Sequence, residues 1–365
     1  MRKFLFVFTL CALNVYAQDV SNKRYNEVRY LMTHNSTSTR PGETKFGDFM
    51  RTIVNKIPIK KVRGSFNELI SATTLSPSAV ADQTKGIEAQ LSDGVRAFKL
   101  PINFTKPEFR ICHTVPQSKL QGVYDKVFNE TLKKVFPAKM LRKALLSPLQ
   151  TYINDPCKLD PATVSLSDTL SKINRWLDKN PNEIVTFFFD FSQVKGDIES
   201  AQATQNAFKN VLEKSGILNK MYVKKDAKSP WPTIGEMIKD NKRVVIVANT
   251  RNFVPLGIWH KEDLGFGTDY SYPKSEDLIK NSENPKIKWG PVDKNRIFIV
   301  DNYTTPRASG SIVASKIVNK YDVLKKRLQN YEKLAGQPVT FTMIDFYEQP
   351  ANDAIKVIKD LNEGK

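Results

Sequence analysis

The sequence predicts an α/β protein folded as a single (β/α)8, TIM-like barrel whose closure can be irregular or incomplete. Three observations carry this expectation. Seven short apolar segments alternate with helical ones along the chain. Several, such as Ile184–Phe189 (IVTFFF) and Arg243–Ala248 (RVVIVA), are apolar on both faces and need cover on both. An eighth candidate strand near Gly265–Tyr272 brings the count to that of a closed barrel rather than an open sheet.

Each element has its own signal. Val28–His34 (VRYLMTH) reads as the first strand, apolar and ending in polar residues. Residues 81–94 read as a helix stopped by Gly94, followed by a strand over Val95–Ile102 and a short one over Phe109–Val115. Ser165-Leu-Ser-Asp168 has the form of a capping box. It opens a helix with Leu166, Leu170, Ile173, Trp176 and Leu177 on one face, ended by Asn180-Pro-Asn182. Ile184–Phe189 is the next strand, with Asp190 at its end. Residues 200–215 and 231–238 read as helices, and Arg243–Ala248 as a strand between them and the polar, aromatic stretch 252–290. That stretch reads as long loops around the eighth strand. Arg296–Asn302 is a strand, 310–335 one long helix, Val339–Asp345 the last strand and 351–362 the last helix.

Residues 1–17 have the pattern of a secretory signal peptide. Arg2 and Lys3 precede the apolar run Phe4–Leu13, which is too short to span a bilayer, and Val15-Tyr16-Ala17 offers a cleavage site. The expected mature protein is therefore secreted or periplasmic. With no Gly/Ser or Pro-rich linker and no internal repeat, residues 18–365 read as one domain, with 119–160 as an insertion. The formal net charge is +18, which suits an anionic membrane or another polyanion. Cationic residues gather at Lys60-Lys61-Val-Arg63 and between Lys133 and Lys143. The second group is interleaved with apolar residues and fits either a membrane-surface segment or an ordinary amphipathic helix. Cys112 and Cys157 remain after cleavage, and two cysteines in a secreted chain are expected to pair. Asn103, Asn129 and Asn302 begin Asn-x-Thr triplets open to glycosylation.

In such a barrel the chemistry lies at the C-terminal ends of the strands. That rule selects His34, Lys99, His113, Asp190, Asn249, Asn302 and Asp345. His34 and His113 end separate strands, which suits general acid and base work near neutral pH; metal binding is the rival reading, with no obvious third ligand in the sequence. Asp345 ends the last strand, which adjoins the first on closure, and can orient His34 as the acid of a triad does. His260 falls in a loop stretch and reads as a rim residue. No phosphate-binding glycine loop, zinc-type Cys/His spacing, Gly-x-Ser-x-Gly elbow or nucleic-acid module is present in the sequence.

Several segments resemble the phosphatidylinositol-specific phospholipase C-like phosphodiesterases, in the right order from about residue 28 onward. They are Leu31-Met-Thr-His-Asn-Ser36, Gln90–Phe98, Ile111-Cys-His113, Asn180–Thr186 with Asp190, Trp231-Pro-Thr-Ile-Gly-Glu236 and Ile344-Asp-Phe-Tyr-Glu348. The resemblance implies that His34 is the general base on the inositol 2-hydroxyl, His113 the general acid on the leaving oxygen, and Asp345 the partner of the base. It also implies a substrate site that includes Asn35, Lys99, Asp190 and Tyr347. Asn35 and Asp190 match positions that bind calcium in the metal-dependent branch. That branch carries acidic residues where this chain has Lys99 and Pro101, and the bacterial metal-independent members carry Asp and then Arg there. The expectation is therefore a metal-independent phosphodiesterase, active as a monomer on phosphatidylinositol or a glycosylphosphatidylinositol in anionic membranes, with Lys99 replacing the missing cation. The rival readings are an inactive barrel that binds inositol lipid, a glycan or another anionic ligand, a glycerophosphodiesterase-type enzyme, and a polyanion- or nucleic-acid-binding protein that uses charge alone, with no specific nucleic-acid module.

Overall fold

The computed structural model describes residues 20–39, 81–105, 108–113, 125, 154–160, 162–191, 201–268, 272–305 and 310–365. The signal-peptide expectation, both cationic clusters, the Asn129 triplet and most of the 119–160 insertion lie outside these residues.

The strands are β1 (Tyr30–Thr33), β2 (Ala97–Thr105), β3 (Glu108–Ile111), β4 (Val164–Ser165), β5 (Val185–Asp190), β6 (Met221–Tyr222), β7 (Val244–Ala248), β8 (Trp259–His260), β9 (Gly265–Gly267), β10 (Ile297–Asn302) and β11 (Phe341–Ile344). The helices are α1 (Ile87–Ser92), α2 (Leu166–Lys179), α3 (Ala201–Lys214), α4 (Ile217–Lys220), α5 (Ile234–Lys239), α6 (Lys261–Leu264), α7 (Ser275–Glu283), α8 (Ile312–Val318), α9 (Tyr321–Ala335) and α10 (Asp353–Asn362). Parallel pairing runs in the order β6-β7-β5-β2-β1-β11-β10-β9, with β8 also on β7. The first and last long strands thus close on each other, Tyr30 against Phe341 through Thr33 against Ile344. Among the described residues no ladder joins β8 to β9, and the short α6 links them in the chain. The result is a curled, incompletely closed barrel. The antiparallel strands β3 and β4 extend β2 beyond its parallel part.

Strand side chains alternate between the two faces. Tyr30 and Met32 point inward, with Phe188, Val245, Val247, Ile299, Phe341 and Met343. Leu31, Phe98, Phe187, Phe189, Ile246, Phe298 and Ile344 point outward onto helix residues such as Leu170, Ile173, Leu328 and Val357. Continuing the inward register to the C-terminal ends brings His34, Lys99, Asp190, Asn249, Lys261, Asp301, Tyr303 and Asp345 onto one inner surface.

Helix signals in the sequence hold at the starts. Ser165 accepts from the Asp168 N–H, and Thr233 and Glu236 form a capping box on α5. Four expectations change. The strand expected over Phe109–Val115 is the antiparallel β3, which ends at Ile111 and lies off the parallel path. The helix expected over 81–94 covers only Ile87–Ser92, because 81–86 runs along the ends of β1 and β11. The helix expected over 310–335 divides into α8 and α9 at Asn319 and Lys320. There the buried Asn319 side chain donates to the Asp345 carbonyl, and Asp353 accepts from the Tyr321 N–H. The stretch 252–290 holds β8, β9, α6 and α7 rather than one strand in loops. Asn103 and Asn302 are buried, so their triplets are not exposed acceptors.

Cys112 and Cys157 form a disulfide with Cα atoms 5.5 Å apart across a sequence separation of 45. Closing a loop of that length stabilises the fold by about 4 kcal/mol in the chain-entropy model. The Cys112→Ser/Cys157→Ser protein is expected to lose that amount in urea unfolding. A loss under about 1 kcal/mol would mean that the unfolded chain is little constrained by this bond.

Candidate active site

His34 follows β1 on the inner surface. Its Nδ1 lies 2.9 Å from Asp345 Oδ1 on the neighbouring strand end. The Tyr303 ring stacks on the imidazole, with centroids 4.1 Å apart and planes at 11°. Asn35 then turns the chain with φ of 42°, a left-handed conformation that asparagine tolerates better than most residues. The turn lets the Ser36 N–H reach the Lys99 carbonyl and locks β1 to β2 above the barrel.

Asp82 is the central residue that sequence reasoning missed. It is 1% exposed. Its Oδ2 accepts from Asn35 Nδ2 at 2.7 Å, and its Oδ1 accepts from the Gly310 N–H at 3.0 Å. The same Oδ2 lies 3.9 Å from His34 Nδ1 and 3.7 Å from His113 Nδ1. The two histidines therefore face one buried carboxylate from different strands. Gln83 Nε2 donates to the carbonyls of His34 and Ile344, while the Phe346 N–H donates to the Asp82 carbonyl. These bonds hold Asp82 in place. The available signal was the polar Ala-Asp-Gln-Thr stretch ahead of Gly86, hidden by reading it as the first turns of a helix.

His113 is placed by the disulfide beside it and by Asp160. The Cys112 N–H donates to the Pro101 carbonyl, and the His113 N–H donates to Asp160 Oδ2 at 2.8 Å. Lys99, on β2, ion-pairs with Asp190 at 3.0 Å. Asn249 donates to the other Asp190 oxygen at 2.6 Å and accepts from the Phe191 N–H. This arrangement does not fit calcium at Asn35 and Asp190. The Asn35 amide nitrogen is turned toward Asp82, and an ammonium group stands where a hard cation needs oxygen ligands.

Lys261 also belongs to this inner surface and carried no sequence signal. It is 6% exposed, and its ammonium lies 4.8 Å from the centre of the Trp289 ring. Gly265 and Gly267 are inward positions on β9, and any Cβ at Gly267 would fall 2.6 Å from the Trp289 ring. The glycine therefore makes room for the tryptophan under the lysine.

Three expected positions lie elsewhere. Tyr347 is fully buried in the outer core and donates to Asp93 at 2.6 Å, so it does not line the mouth. Its side chain leaves the strand end on the helix side, which corrects its assignment to the substrate site. Asn302 points outward and donates to Asn319, a structural tie. His260 is buried rather than on the rim, and its Nδ1 caps α6 by accepting from the Glu262 N–H.

Electrostatics suit acid–base work. Burial pushes the His34 imidazole well below its ordinary value, and the Lys99 and His113 charges push the same way. A neutral His34 that donates from Nδ1 to Asp345 leaves Nε2 as the proton acceptor. Burial and the nearby Asp82 carboxylate push Asp345 well above the usual carboxylate range. Burial also raises Asp82, against the pull of His113, Asn35, Gly310 and Lys99.

A parallel barrel with two histidines, buried carboxylates and a lysine at its strand ends has the architecture of an acid–base site. Residues 153–254 match the family model described as PI-PLC X 1. The phosphatidylinositol-specific phospholipase C from Listeria monocytogenes has a similar fold, with a TM-score of 0.53 at 14% identity over 95% of this chain and 96% of that one. A pentafluoro-Phe-incorporated phosphatidylinositol-specific phospholipase C from Staphylococcus aureus aligns with a TM-score of 0.49 at 13% identity, over 94% and 95% of the two chains. No curated protein sequence matches the chain. Over residues 153–254 the chain is thus similar to the PI-PLC X-domain family, and as a whole it shares the fold of the Listeria monocytogenes enzyme.

Proposed function

We propose that this protein is a secreted, monomeric phosphodiesterase that cleaves phosphatidylinositol or a glycosylphosphatidylinositol-type lipid without a metal. The observation that carries this reading is the facing pair of histidines. His34 Nδ1 and His113 Nδ1 lie 3.9 and 3.7 Å from the same Asp82 oxygen, and the Lys99 charge acts on His34.

In this reading His34 Nε2 takes the proton of the inositol 2-hydroxyl, and that oxygen attacks phosphorus. The bond from phosphorus to the diacylglycerol oxygen breaks, and His113 gives that oxygen its proton. The products are a cyclic inositol phosphate and diacylglycerol. Asp345 stabilises the imidazolium formed on His34. Lys99 leaves Asp190 for the phosphate and offsets the charge that develops there.

Two further observations support a secreted enzyme working on membranes. The disulfide fits an oxidising compartment. Helix α8 begins beside the site, since Gly310 touches Asp82, and it exposes Ile312, Val313 and Ile317 near Lys316 and Lys320. No helix among the described residues is long and apolar enough to cross a membrane. An apolar, basic rim suits shallow contact with anionic lipid. Val313, 73% exposed, is the most open of the three. Val313→Asp is expected to weaken binding to phosphatidylinositol-containing vesicles by about tenfold, with unfolding unchanged. Vesicle sedimentation that is insensitive to this change would exclude α8 from the membrane contact.

The test of the reading is turnover of phosphatidylinositol vesicles by purified protein in chelator. Activity there supports metal-independent cleavage. No turnover, in chelator or with calcium restored, overturns it. The second reading, an inositol-lipid-binding barrel without turnover, is favoured by Lys99 standing where relatives carry other groups and being paired with Asp190. Vesicle binding without turnover would establish it.

A further inference from the structure

We infer that His34, Asp82 and Asp345 also form a site for a divalent transition-metal ion, zinc above others, built directly on the proposed base. One ligand atom from each of the three lies within 4.8 Å of the other two. The set of imidazole nitrogen and carboxylate oxygens matches the preference of zinc, and is unlike the many oxygens that calcium takes.

A second observation points to the same place. Asp345 is 1% exposed, and its Oδ2 is buried without a hydrogen-bond partner. That oxygen and Asp82 Oδ1 converge beneath Gly310. A Cβ on Gly310 would sit 2.9 Å from the first and 2.4 Å from the second. The absence of a side chain there lets two carboxylates meet in a buried space. A dication between them offsets both charges, which neither His34 nor the Gly310 N–H can do alone. His113 Nδ1, 3.7 Å from Asp82 Oδ2, lies outside this three-residue group, so water completes the coordination of a bound ion.

The consequence rests on the reading of His34 as the base, although the site itself does not. The metal takes the Nδ1 lone pair and displaces the proton that faces Asp345. The neutral ring keeps its single proton on Nε2. That nitrogen then has no lone pair to accept the substrate proton, so bound zinc blocks catalysis. The device is reversible, because a chelator returns the proton to Nδ1.

The test uses chelator-stripped, full-chain protein titrated with zinc by calorimetry and with cobalt(II) by visible absorption. A single equivalent is expected to bind, with the intense visible bands of four-coordinate cobalt. Asp82→Asn and Asp345→Asn are each expected to weaken zinc by more than about tenfold, with circular dichroism unchanged. X-ray absorption at the zinc edge on the unaltered protein gives an answer that does not depend on the variants. Imidazole nitrogen and carboxylate oxygen are expected in the first shell. Absence of saturable binding, a shell without imidazole, or affinity unchanged in both variants would overturn the site. Zinc at saturation should also abolish turnover of phosphatidylinositol, with recovery in chelator, and full turnover at saturation would overturn the inference. Zinc bound in this way to a protein without turnover would uphold the site and sink only the phosphodiesterase reading.

Discussion

Alanine at His34 is expected to lower kcat on phosphatidylinositol vesicles by about three orders of magnitude, and alanine at His113 by a similar factor. Each change removes one partner of a proton transfer that contributes about 10²–10⁴-fold. The double variant should fall little further, since the two act on one step. The leaving group separates their roles. On an inositol phosphodiester with a nitrophenyl leaving group, departure needs little protonation, so His113→Ala should regain most of its loss. His34→Ala should stay slow, because the 2-hydroxyl must still be deprotonated. Equal rescue of both, or of neither, would contradict the assignment of base and acid. Neither substitution should disturb folding much: His113 is partly exposed, and His34 is held by one side-chain bond and one stacked ring.

Lys99→Met should lower kcat by about 10²–10³-fold if the ammonium stabilises charge on the phosphate in the transition state. It should also move the pH profile. In the free protein the His34 imidazole lies below its ordinary value of 6.5, through burial first and then through Lys99 and His113. The acid limb of kcat/KM, where the base becomes protonated, is therefore expected below pH 6.5. Removing the Lys99 cation makes protonation of His34 easier and shifts that limb to higher pH. Lys99→Arg retains the charge, so the limb should stay near its original position even where turnover suffers from altered geometry. A limb that does not move in Lys99→Met, with turnover intact, would show that Lys99 only holds Asp190. The ion pair at 3.0 Å is consistent with a resting partner, and the kinetics decide between rest and structure.

Strand chemistry was the part of this protein most legible in its sequence. β5 and β7 are apolar runs that can only lie between two packed layers, and their parallel pairing follows. Because chemistry gathers at C-terminal strand ends, His34, Lys99, Asp190 and Asp345 could be listed from the sequence, while the same rule also took Asn302, which the structure turns outward. Cys112 and Cys157 could be paired because they are the two cysteines beyond residue 17, and the structure joins them. Boundaries were less legible where side chains bond across the fold. Asn319 ends α8 through the Asp345 carbonyl, a contact between residues that no local pattern connects. Tyr347 shares a stretch with Asp345, yet its hydroxyl turns to Asp93, since a two-residue step after the strand no longer keeps the alternation.

The sequence by itself determined the barrel class and the strand-end positions of His34 and Lys99, because periodicity and residue type are local properties of the chain. Only the tertiary structure decided that, among the described residues, no ladder joins β8 to β9, that Lys261 rests on Trp289, and that Asp82 lies within 4 Å of both histidines. Asp82 reaches that position through bonds to Ser38, Asn35, Gly310 and Phe346, which are distant in sequence or belong to other strand ends. A buried carboxylate is set by the company it keeps in space, and no spacing rule along one chain reports that company.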